Sequence, residues 1–170
     1  MADARADILL VEDNPNDVKL TLHALKSANL ANSIHVARDG VEALEFLFGA
    51  KLNSDQGIPE KPKLILLDLK LPRLDGHEVL KRIKNDPRTS GIPVVVLTSS
   101  SEERDVMQTY QVGANSYIIK PVDFEQFTDA IRDIGKYWLV INHQSGGQGE
   151  PGPVPALPCQ VRPHDITVMP

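Results

Sequence analysis

Lys63-Leu64-Ile65-Leu66-Leu67-Asp68-Leu69-Lys70-Leu71-Pro72 decides how the rest of the chain folds. Four aliphatic residues, Leu64 to Leu67, run without alternation into one carboxylate, and a proline follows. Continuous apolar runs of that length suit strands covered on both faces, as in parallel sheets. In open α/β sheets ligands sit beyond the carboxyl ends of the strands. Asp68 is therefore placed where chemistry happens, as a candidate nucleophile.

Reading outward, Ile8 to Val11 is a second buried-type strand ending at Glu12-Asp13-Asn14-Pro15-Asn16-Asp17. Asn14 is the expected N-cap of a helix, with Pro15 first inside it and Asp17 a favourable charge in its first turn. Val18, Leu22 and Leu25 recur at helical spacing up to Asn29, and Ile34 to Ala37 alternates as a strand. Asp39-Gly40 opens another helix with Ala43, Leu44 and Leu47 inward. Gly49 to Lys63 forms a polar insertion at about 49–63, longer than ordinary connections. Beyond Asp68, Leu74-Asp75-Gly76 leads into a helix carrying Val79, Leu80 and Ile83, stopped by Asp86-Pro87.

Ile92 to Leu97 is a further strand ending at Thr98, and Ser100 and Glu103 have capping-box spacing for the next helix. Ser116 to Ile119 is the fifth strand, ending at Lys120-Pro121. A last helix from Asp123 bears Phe124, Phe127, Ile131, Ile134, Trp138 and Ile141 as an apolar stripe, and Tyr137 to Ile141 is nearly apolar all round. Residues 144–170 hold six of 13 prolines and four glycines, and so read as an extended tail outside a unit at 1–143. Five strand–helix alternations predict an α/β, flavodoxin-like doubly wound five-stranded parallel sheet, order 2-1-3-4-5, with helices on both faces.

The balance of 18 basic against 23 acidic residues, net charge −5, argues against a sequence-independent grip on nucleic acid. One cysteine, Cys159, allows neither an intrachain disulfide nor a thiolate zinc site. Met1 to Asp7 lacks the apolar core of a signal peptide, and no apolar run is long enough to span a bilayer. A cytoplasmic protein without membrane or nucleic-acid contacts is the expectation. The five histidines, at 23, 35, 77, 143 and 164, follow no ligand spacing.

Strand ends supply Glu12 and Asp13, Asp68, Thr98 and Lys120. Order 2-1-3 sets the first and third strands side by side, so three carboxylates converge and need a cation. Oxygen ligands without His or Cys favour Mg²⁺, which keeps waters and takes phosphate oxygens. A carboxylate with a divalent metal on one side and a lysine on the other is suited to accept a phosphoryl group, with Thr98 donating to one of its oxygens.

With Leu10-Val11-Glu12-Asp13-Asn14, Asp68 with Pro72, Asp75 and Gly76, Val96-Leu97-Thr98 and Ile119-Lys120-Pro121, the chain resembles the receiver domains of two-component response regulators over about Asp7 to His143. The resemblance implies a non-enzymatic switch in which Asp68 takes its phosphoryl group from a phosphohistidine of a sensor histidine kinase. It implies Mg²⁺ on Asp13 and Asp68, with Glu12 assisting through water and the Lys70 carbonyl completing the site. It further implies Lys120 paired with the phosphoryl group, a cis bond to Pro121, and a readout in which Thr98 moves inward and Tyr117 follows. The insertion, the Trp138-Leu139-Val140-Ile141-Asn142 ending and the lack of an output domain resemble the small response regulators of cyanobacterial phytochromes. That likeness implies a homodimer through the face formed by helix four, strand five and helix five.

Blander readings compete residue by residue. Glu12 and Asp13 serve equally as charges at a helix N-terminus, Thr98 as a strand-end hydroxyl, Lys120 as a solvated base and Tyr117 as a packed aromatic; only their joint spacing favours the site. A flavodoxin-like cofactor carrier would want a Gly/Ser/Thr-rich loop after the first strand, where acids stand instead. An aspartyl phosphatase would want an acid two residues after the nucleophile, where Lys70 stands. A phosphorylation-independent scaffold of receiver type remains the alternative within the same fold.

Overall fold

The computed structural model describes residues 6–30, 33–49, 61–99, 102–141 and 160–161. Most of the expected insertion and tail lies outside them. Strands β1 (Ile8–Val11) and β3 (Leu64–Leu67) are buried at every residue, as uninterrupted aliphatic runs require. They pair in parallel with Val11 opposite Leu67, so the polar residues that follow emerge side by side. With β2 (Ile34–Ala37), β4 (Val94–Thr98) and β5 (Ser116–Ile119), the parallel order is 2-1-3-4-5, as expected. β4 begins two residues later than the sequence suggests. Pro93 has no N–H to give a ladder, and the Ile92 amide instead donates back to the Thr89 carbonyl at 3.0 Å.

The tail does more than extend. Gln160 and Val161 form β6, antiparallel to β5, with Val161 opposite Tyr117. Among the described residues the sheet therefore has six strands, and β6 satisfies backbone groups that a bare β5 edge would leave to water.

Four helices begin as their sequences dictate. Asn14 accepts from the Asn16 amide at 2.9 Å and opens α1 (Pro15–Ser27); Asp39 accepts from Glu42 at 2.8 Å and opens α2 (Gly40–Phe48). Asp75 caps α3 (Gly76–Asn85), and Asp123 caps α5 (Phe124–Lys136). α4 (Glu103–Val112) differs: its N-cap is Glu102, which makes no side-chain cap bond, and Ser100 of the expected capping box lies outside the described residues. It ends at Gly113, whose φ of 114° is left-handed and suits glycine.

The sheet divides the core. Leu44, Leu47, Val79, Leu80, Ile83, Val106 and Tyr117 pack on the side of α2, α3 and α4. Ala24, Leu25, Phe127, Ile131, Ile134 and Trp138 pack on the side of α1 and α5. One part of the α5 stripe departs from expectation. Phe124, the first helical residue, sits at the rim and is 52% exposed. Past Lys136 the helix widens to a π-helical turn, Tyr137–Ile141, in which Tyr137 and Trp138 are buried edge-to-face at 5.0 Å. Their apolar excess therefore closes this chain's own core, and Val140 is the exposed remainder.

Lys84 ties three segments behind the sheet. Its ammonium donates to the carbonyls of Ser90 (3.3 Å) and Ile92 (2.8 Å) and to Asn115 Oδ1 (3.2 Å), which also accepts the Val94 amide. Burial lowers its pKa to about 8. The folded state therefore binds fewer protons than the unfolded chain between about pH 8 and 10.5, and stability rises with pH across that window. Lys84→Met should cost about 1–3 kcal/mol near neutrality by stranding those acceptors. It should also flatten that rise in denaturant titrations against wild type; an unchanged pH slope would refute the assignment.

Candidate functional site

The carboxyl ends of β1, β3, β4 and β5 carry the site. The Asp68 amide donates to Val11 O at 3.0 Å and the Glu12 amide to Ala37 O at 3.0 Å, which continues the ladder one step past each strand. Both side chains are thereby fixed at one point, with Glu12 3% and Asp68 7% exposed. Asp13, in contrast, is exposed. Glu12, Asp13 and Asp68 each offer one carboxylate oxygen within 4.8 Å of the others.

Lys120 comes from the far side of the sheet. Its amide donates to the Thr98 carbonyl at 2.8 Å, which ties the end of β5 to the end of β4. Its ammonium donates to Glu12 Oε2 (2.5 Å), Asp17 Oδ2 (2.9 Å) and Asp68 Oδ2 (3.0 Å). Asp68 Oδ1 accepts the Lys70 amide at 3.2 Å, so the carboxylate is oriented at both oxygens. No cis peptide bond occurs among the described residues, so the expected cis bond between Lys120 and Pro121 is corrected to trans. Trans is also the cheaper isomer of an X–Pro bond, by about 0.5–1 kcal/mol.

The electrostatics are those of a cluster short of positive charge. Burial, reinforced by the Asp68 carboxylate, pushes the Glu12 carboxyl up to about 7 in spite of its bond to Lys120. Burial alone would lower the Lys120 pKa, but its bond to Glu12 and the charges of Asp68 and Glu12 outweigh that and raise it. A cation at this point would offset the cost of holding these carboxylates together. Three hard oxygen donors without nitrogen or sulfur fit Mg²⁺.

Thr98 and Tyr117 share one sheet face. Val96 stands opposite Tyr117 in the register, and Thr98, two residues on, points the same way. Both are fully buried, Tyr117 among the α2–α3–α4 cluster, and the Tyr117 amide donates to the Tyr110 hydroxyl of α4 at 3.2 Å. Of the residues named from sequence, Glu12, Asp13, Asp68 and Lys120 are thus gathered directly, Lys70 touches Asp68 through its amide, and Thr98 lies one backbone bond away. Sequence reasoning missed Asp17 as a member, having assigned it only to a helix first turn. Its place in the first turn of a helix that starts directly after the Glu12-Asp13 strand end was the available signal, since that turn stays close to the site.

Residues 8–132 match the family model described as the response regulator receiver domain. Among curated relatives, a probable methanogenesis regulatory protein of Methanothrix harundinacea, FilR2, is 42% identical over 139 residues, covering 82% of this chain and 87% of its own. The Mn²⁺-bound structure of response regulator Rcp1, a Synechocystis protein, superposes with a TM-score of 0.70 at 41% identity, over 78% of this chain and 94% of the other. The phosphorylated cyanobacterial phytochrome response regulator RcpA gives 0.73 at 37% identity, over 82% and 97%.

Proposed function

This chain belongs to the response regulator receiver domain family, and on that premise we propose that Asp68 is the phosphoacceptor of a two-component switch. The observation that carries the reading is the geometry around Asp68. It is nearly buried, one oxygen lies 3.0 Å from the Lys120 ammonium, and two further carboxylates converge on the same point. An Asp68 oxygen attacks the phosphorus of a kinase phosphohistidine; the P–N bond breaks, and its electron pair stays on the imidazole nitrogen. Lys120 supplies N–H donors to the incoming oxygens, and Thr98 answers from the end of β4. Asp13 and Asp68, with Glu12 and the Lys70 carbonyl, are the residues that would hold Mg²⁺, which neutralises phosphoryl charge when bound. Because the group transferred ends on the protein's own side chain, we class the protein as a switch and not an enzyme.

The unit that does this is residues 1–143, and 144–170 is its tail. The partner is a cytoplasmic sensor histidine kinase of phytochrome type, a reading supported by the likeness to Rcp1 and RcpA. Phosphorylation draws Thr98 inward against the Tyr117 face, and the face of α4, β5 and α5, whose β5 edge carries β6, meets a second copy. Met107 and Val140 are the exposed apolar side chains described on α4 and on the turn that ends α5. No described helix is long and apolar enough to cross a membrane.

The test is Mg²⁺-dependent incorporation of an acid-labile phosphoryl group from an acyl phosphate, then from purified histidine kinases. Labelling that persists after chelation would refute the metal's part. A light-scattering mass of one chain, with and without phosphodonor, would refute the dimer.

A further inference from the structure

We propose that Asp17 is a positioning residue that holds the third N–H of the Lys120 ammonium until the phosphoryl group displaces it. This rests on the reading of Asp68 as phosphoacceptor. An ammonium has three N–H groups, and on Lys120 three carboxylates take them, each from a different element: Glu12 after β1, Asp17 in the first turn of α1, and Asp68 after β3. A phosphoryl oxygen that is to be met by Lys120 must therefore replace one of them.

Burial decides which. The side chains of Glu12 and Asp68 are 3% and 9% exposed, and that of Asp17 is 26% exposed. Breaking the bond to Glu12 strands a buried carboxyl group, whereas Asp17 turns to water at small cost; Asp68 is not a competitor, because its charge passes to the phosphoryl group it accepts. Glu12 and Asp68 also belong to the three-carboxylate cluster that suits a divalent cation, and Asp17 does not. Asp17 is thus the acceptor that yields. While it holds on, it competes with the arriving phosphoryl group; on release, the first turn of α1 loses its tie to the end of β5.

Asp17→Asn keeps the shape and removes the charge that competes for Lys120. With saturating acyl phosphate and Mg²⁺, its phosphorylation rate constant should rise about two- to fivefold, the factor a partly exposed ion pair is worth. Asp17→Glu, which keeps the charge, should stay at the wild-type rate. Mg²⁺ affinity by calorimetry should change by no more than about threefold, the Coulombic effect of one charge several ångströms off in a wet site. An Asn variant that is unchanged or slower, or a Glu variant as fast as Asn, overturns the proposal. So does a Mg²⁺ affinity that collapses, since Asp17 would then be a ligand. Absence of labelling in wild type would instead overturn the phosphoacceptor reading itself, so the two failures are distinguishable.

Discussion

Asp68→Asn should leave the fold intact and abolish phosphoryl incorporation. Asparagine keeps an oxygen for the Lys70 amide, and Lys120 keeps Glu12 and Asp17 as partners. What it lacks is the anionic oxygen that forms the bond to phosphorus. Loss of an enzyme nucleophile costs up to about a millionfold in rate, so labelling should fall to background with a near-wild-type circular dichroism melt. A second readout follows from Glu12. Its raised pKa means the metal-free folded state binds a proton more tightly than the unfolded chain, so stability falls as pH rises from 4.5 to about 7. Removing the Asp68 charge, a lesser cause of that shift after burial, should make the fall shallower. Undiminished labelling of the variant would sink the phosphoacceptor assignment.

The central strands β1, β3 and β4 were legible because each is a short aliphatic run buried on both sides, whereas the outer β2 showed only an alternating pattern and is half-buried. The meeting of Glu12, Asp13 and Asp68 followed from strand order alone, since neighbours β1 and β3 end level with each other. Lys120 was legible as the lysine beside Asp68; its partner Asp17 depends on where α1 starts relative to β5, which spacing does not encode. Trp138 was legible as the next step of the α5 stripe after Ile134, whereas Tyr137 falls in a stretch apolar all round, where period does not say which side is buried. β6 was invisible because a two-residue strand in a Pro/Gly-rich stretch has no period, and its pairing is set by the free edge of β5.

Gly76→Ala should harm stability and site together, because the reason for this glycine is space. Gly76 is the first residue of α3, and its amide donates to the Leu69 carbonyl at 2.9 Å, which folds the helix start back over the segment that follows β3. A Cβ there would lie 2.5 Å from Leu69 Cα and 2.8 Å from Leu69 O, and closer still to the Asp68 carbonyl. All three are backbone atoms, so no rotamer change relieves the clash; either α3 moves outward or the Asp68 backbone moves inward. Overpacking of this kind costs about 1–3 kcal/mol, and the higher helix propensity of alanine, worth about 1 kcal/mol, offsets only part of it. The melting midpoint should fall by up to about 8 °C, at about 2–4 °C per kcal/mol for a chain this size. Gly91→Ala, where an added Cβ meets nothing within 4 Å, should melt with wild type. Measured well below either midpoint, Gly76→Ala should also label more slowly, by up to about a hundredfold if Asp68 shifts by an ångström. A Gly76 variant that melts and labels like the Gly91 control would show that α3 does not press on Asp68.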